Sequence, residues 1–167
     1  LVKPMKAISI LRSDLDSLPC DAELLKILNN VCDTCNFIVS GHDCWFGVSA
    51  ENDAARERFA STGLLIAGDA LYSLMKSGAV HFLSGVLSAV PKELKAYQLW
   101  DYVPKWETAG GWEEAIRFQT PYTQMEIVFY DGYLLRIAAR EDGQLDEFLA
   151  RFPKAEVLEP IIETEVC

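Results

Sequence analysis

The dipeptide Asp131-Gly132 constrains this chain more than any other two residues. It separates two β-rich runs, residues 124–130 and 133–139. Asp-Gly between apolar runs is the strongest short-range hairpin signal. A two-residue turn predicts Tyr130 opposite Tyr133, Val128 opposite Leu135 and Glu126 opposite Ile137 on one face. The other face then carries Phe129 with Leu134, Ile127 with Arg136, and Met125 with Ala138. Both faces are mostly apolar near the turn. The hairpin therefore belongs inside a sheet covered on both sides, or covered on one side and shielded by a loop on the other.

The remaining elements follow from hydrophobic periodicity. Residues 5–11 read as a strand with Ile8 and Ile10 on one face. Residues 21–31 read as a helix, with Leu24, Ile27, Leu28 and Val31 at i, i+3, i+4, i+7 and Pro19 and Asp21 at its start. Residues 36–40 and 44–48 read as two short strands joined by a turn at Gly41-His42-Asp43. Ser49 is expected to cap a helix reaching about residue 60. A second helix, about residues 68–76, presents Leu71, Leu74 and Met75 and stops at Ser77-Gly78. Residues 79–90 read as a strand, bent or bulged at Gly85 and ended by Pro91. A short extended piece near residues 100–103 and a short helix near 112–118 are expected before the hairpin. Residues 141–152 form a helix with a stripe of Leu145, Phe148, Leu149 and Phe152, ended by Pro153. The tail adds an edge strand through Val157 and Leu158, and Glu159, Glu163 and Glu165 leave its end acidic. Hairpins outnumber β-α-β crossovers, so the fold class is α+β: a largely antiparallel sheet with helices packed on it, in a single domain. That domain is read as residues 5–167, with Met5 as its start and residues 1–4 as a cloning remnant.

Charge narrows the function. The 167 residues carry a net charge of −10, and the imbalance is concentrated: residues 101–167 hold 14 acids and 6 bases. Nucleic-acid binding requires phosphate neutralisation by Lys and Arg, and this balance argues against it. The balance suits a soluble protein that repels its own kind, or one that docks a basic partner. No apolar run approaches the roughly 18 residues of a membrane helix, and no export signal is visible. A cytoplasmic protein is expected, with no membrane partner and with its 5 cysteines as free thiols.

No catalytic signature emerges. Cys32, Cys35, His42 and Cys44 have the content of a zinc site, drawn from a helix end and a hairpin turn. The expected reading is free thiols, because the domain has a core of its own and His42-x-Cys44 makes an unusual second ligand pair. Cys32-x-x-Cys35 falls at a helix C-terminus, the wrong end for a thiolate. His42 and Cys44 do not read as a catalytic pair, since such pairs are usually built from distant segments. The carboxylate pairs Glu113-Glu114, Glu141-Asp142 and Asp146-Glu147 sit at helix starts or on solvent faces. No glycine-rich phosphate loop is present, and no cofactor or metal is expected.

One segment stands out as a contact surface. Trp100, Trp106 and Trp112 are three of the protein's 4 tryptophans, and they interleave with Asp101, Tyr102, Glu107, Glu113 and Glu114 around Gly110-Gly111. Aromatic anchors ringed by acids suit a basic partner. The same tryptophans could instead be core residues beneath a long loop. Both readings stand on sequence alone.

The run Leu71-Tyr72-Ser73-Leu74-Met75-Lys76-Ser77-Gly78, the strand from Phe82 to Pro91-Lys92, the late hairpin and the closing helix resemble a family of small uncharacterised bacterial proteins. Lys6-Ala7-Ile8-Ser9-Ile10 and Gly41-His42-Asp43-Cys44-Trp45-Phe46 are similar in kind. The resemblance covers most of the chain in the order of its elements, and it implies no site because that family has no assigned activity. In type rather than in motif the chain is also similar to immunity proteins of bacterial toxin systems, which are small, acidic and cytosolic and block a basic toxin. That likeness implies a non-enzymatic binding protein of the immunity type, an inhibitor of a basic toxin. The alternative is an enzyme or small-molecule-binding domain whose pocket residues are scattered along the chain.

Overall fold

The computed structural model describes residues 5–11, 20–46, 56–59, 64–99, 118, 120–130 and 134–161. The hairpin lies at its centre. Strands β5 (Met125–Tyr130) and β6 (Leu134–Ala139) pair antiparallel, and every residue of β5 is buried. Around them runs a seven-stranded antiparallel sheet in the order β3-β2-β4-β5-β6-β1-β7. The other strands are β1 (Met5–Leu11), β2 (Cys35–Phe46), β3 (Leu64–Ala67), β4 (Val80–Pro91) and β7 (Glu156–Ile161). The helices are α1 (Cys20–Thr34), α2 (Gly68–Lys76), the single turn α3 (Ala96–Leu99) and α4 (Asp142–Arg151). The α+β class expected from the sequence is the one observed.

The hairpin register differs from the expected one by one residue. Tyr130 pairs with Leu134, Val128 with Arg136 and Ile127 with Ile137, leaving Asp131, Gly132 and Tyr133 between the strands. Three-residue hairpin loops are the next commonest class after two-residue loops. A one-residue slip turns every side chain of a strand to its other face. In the expected register Arg136 would join Met125, Ile127 and Phe129 beneath the helices, where an unpaired guanidinium is costly. The observed register puts Leu135, Ile137 and Ala139 into that core instead and turns Arg136 to the opposite face.

A second correction concerns residues 36–48. Cys35–Phe46 forms one strand and not a hairpin. Strand β4 runs beside this whole stretch and pairs with Cys35–Ser40 and again with Asp43–Phe46. The register shifts between Ser40 and Cys44, so the expected turn at Gly41-His42-Asp43 is absorbed as a bulge. Gly85, where a bend or bulge is expected, has a φ of 141° and pairs with Phe129, whose ring stacks on Phe82 at 5.4 Å.

Helix α2 spans the expected residues and ends in a Schellman arrangement. Ala79 N–H bonds the Leu74 carbonyl and Gly78 N–H the Met75 carbonyl, both at 3.0 Å, with Gly78 at φ 73°. Strand β3, not foreseen in the sequence, leads straight into it and pairs with β2. Of the helix expected after Ser49, residues 56–58 are helical; Ser49 itself lies outside the described residues. Helix α4 buries Leu145 and Phe148, with Phe152 just beyond its end, as expected. Strand β7 is the expected edge strand, on β1. Its Glu156, Glu159 and Pro160 discourage further strand pairing there.

Helices α1, α2 and α4 share one core with one face of the sheet, built around Phe37, Ile66, Leu71, Met125, Ile127 and Phe148. The opposite face holds smaller apolar clusters. Ile38 and Val90 pack with Leu99 and Leu94, Ala7 and Ala138 with Phe118 and Leu158, and Val86 and Val128 with Tyr130. A threonine turn secures the start of β5. Thr120 Oγ1 accepts the N–H groups of Tyr122 at 3.0 Å and Thr123 at 3.1 Å. Arg140, just past β6, donates through Nε to the Thr123 carbonyl at 2.6 Å and stacks its guanidinium 4.7 Å from the centre of the Phe118 ring.

Gly68, the first residue of α2, lies against the end of α1 and the start of β2. A Cβ there would collide with the carbonyl oxygens of both Cys32 and Cys35, which are backbone atoms with little freedom to yield. Gly68→Ala is therefore expected to destabilise the fold by about 3 kcal/mol through overpacking, measured as a fall in urea midpoint. An unchanged midpoint would show that the two helices can separate without cost.

Candidate functional site

Cys32 closes helix α1 and Cys35 opens β2, and both are buried. Burial, reinforced by Asp33 and by Cys35 itself, pushes the Cys32 thiol up to about 12. Burial also raises Cys35, partly offset by a hydrogen bond with Thr34. The Cys35 thiol donates to Gln124 Oε1 at 3.8 Å, a contact between core and hairpin. Neither thiol is poised as a nucleophile. Cys44 lies nine residues along the same strand as Cys35, roughly 25–30 Å away at about 3.3 Å per residue. One tetrahedral ion cannot take thiolates that far apart, so Cys32, Cys35, His42 and Cys44 do not form a common site. Among the described residues no group of three or more His, Cys, Asp or Glu is placed to hold a metal. Nor is any helix among them long and apolar enough to cross a membrane.

Trp100, Asp101, Tyr102, Trp106, Glu107, Trp112, Glu113 and Glu114 lie outside the described residues. The described residues nearest to each end of that segment, Leu99 and Phe118, both pack on the sheet face opposite the helices. Leu99 sits with Ile38 and Val90, and Phe118 with Ala7 and Ala138.

That same face carries a polar seam. Ser88 and Glu126 are register partners on β4 and β5, both buried, and Ser88 Oγ donates to Glu126 Oε2 at 3.0 Å. Diagonally to one side lies Ser40 on β2, and diagonally to the other Arg136 on β6. Ser40 Oγ and Arg136 Nε are buried without a hydrogen-bond partner. The Arg136 guanidinium lies 5.5 Å from the centre of the Tyr130 ring. The seam was only faintly legible in the sequence, as single charges at Glu126 and Arg136 inside apolar strands.

A cleft of about 260 Å³ opens on the helical side, between the last turn of α1 and the first turns of α4. Asn30, Val31 and Thr34 form one wall, and Met125 is part of the lining. Glu141, Gly143, Gln144 and Glu147 form the other wall. Glu141 occupies the N-cap position of α4 without a side-chain capping bond. Gln144 Oε1 is buried and has no hydrogen-bond partner. Glu141, Asp146 and Glu147 are exposed. The carboxylate pairs at 141–142 and 146–147 thus sit at a helix start, as expected, but two of these acids also border a concavity that their spacing did not reveal.

Comparison with protein-family models, with curated proteins and with solved structures finds no match to this chain.

The buried thiols supply a test of this packing. In the folded protein at pH 8, iodoacetamide is expected to leave Cys32 unmodified while labelling it readily in urea, as read by peptide mass spectrometry. The folded state holds the Cys32 proton more tightly than the unfolded state, whose thiol titrates near its ordinary 9.0. Its contribution to stability is complete below about pH 9 and is lost as pH rises toward 12. Urea midpoints should therefore fall over that window, and fall less in Cys32→Ser. Rapid labelling of native Cys32 would contradict the burial described here.

Proposed function

We propose that this protein is a non-enzymatic binding protein for a basic protein partner, acting in the cytoplasm in the manner of toxin-neutralising immunity proteins. The observation that carries the reading is the set of exposed acids on α4. Glu141, Asp146 and Glu147 are exposed, and they lie in the part of the sequence that holds 14 acids against 6 bases. Exposed carboxylates of one sign raise the encounter rate with an oppositely charged protein and leave the contact sensitive to salt. The acid-flanked aromatics Trp100, Tyr102, Trp106 and Trp112 supply the anchoring element of the proposal, with Asp101, Glu107, Glu113 and Glu114 pairing to Lys or Arg of the partner.

A second reading is a small polar ligand on the sheet face opposite the helices. The seam favours it, since Ser40 Oγ and Arg136 Nε are buried donors lacking an acceptor, and a ligand oxygen would satisfy either.

The binding reading predicts that the tagged protein retains a basic protein from its native cells in near-equal amount at low salt. That partner should elute as salt approaches about 0.5 M, where charge interactions are screened over a few ångströms. Trp106→Ala should weaken the purified complex at least about tenfold, as expected for a hot-spot aromatic, without changing the circular dichroism spectrum. Retention that is indifferent to salt, or no basic partner at all, would remove the reading.

A further inference from the structure

We draw no further inference here: the strongest candidate, the enclosed polar seam of Ser40, Ser88, Glu126 and Arg136 on the sheet face opposite the helices, carries nothing because its unpartnered atoms, Ser40 Oγ and Arg136 Nε, sit on strands separated by β4 and β5 and nothing among the described residues shows what covers the seam between them.

Discussion

The structure depends on the complete burial of β5. Six consecutive residues, Met125–Tyr130, are buried although they alternate between two faces. A strand with that property cannot lie at a surface, so the sheet must be covered on both sides. The helical side is closed by α1, α2 and α4 through Leu28, Leu71 and Phe148. The other side is closed in part by Leu94, Leu99 and Phe118. The hairpin register serves the same constraint, because it places Ile127 beside Ile137 beneath the helices and keeps the Arg136 guanidinium out of that core.

Covering a sheet with helices sets a packing problem where the helices meet. Helix α1 must approach α2 near the point where β2 begins, and Gly68 supplies the room. The same junction buries Cys32 and Cys35 at the end of α1 and the start of β2. Burial keeps both thiols protonated, and the strand that starts at Cys35 carries Cys44 far away. Spacing in the sequence suggested proximity, whereas the unbroken β2 strand enforces distance. The extra residues near Gly41 become a bulge because β4 is long enough to pair on both sides of them.

The electrostatics of the surface follow from where the helices end. Acids gather at the N-terminus of α4, a position that their interaction with the helix dipole favours. The neighbouring end of α1 lacks the basic residues that would ordinarily balance it. The two ends border one cleft, and a set of locally ordinary choices thereby becomes a concave acidic feature. On the opposite face of the sheet, the Ser88–Glu126 contact and the neighbouring Ser40 and Arg136 form a different kind of polar feature, enclosed and incompletely satisfied.

Much of the architecture was legible in the residues. The period-3.6 stripes of α1, α2 and α4, the Gly78 stop, the central hairpin and the edge strand at Val157 all follow from local rules of burial and backbone freedom. These rules act over a few residues, so the sequence by itself determined most of the elements, the α+β class and the net negative charge, whereas strand β3 and the unbroken β2 came only from pairing across the sheet. Register, faces and site geometry were not legible, for one physical reason. They depend on pairings between segments far apart in the chain, where a single extra loop residue after Tyr130 reverses a strand and the reach of β4 decides whether Gly41 turns or bulges. Only the tertiary structure brought Asn30 and Thr34 to face Glu141, Gln144 and Glu147. No local pattern could have joined two helix ends more than a hundred residues apart, because the sheet between them sets their distance.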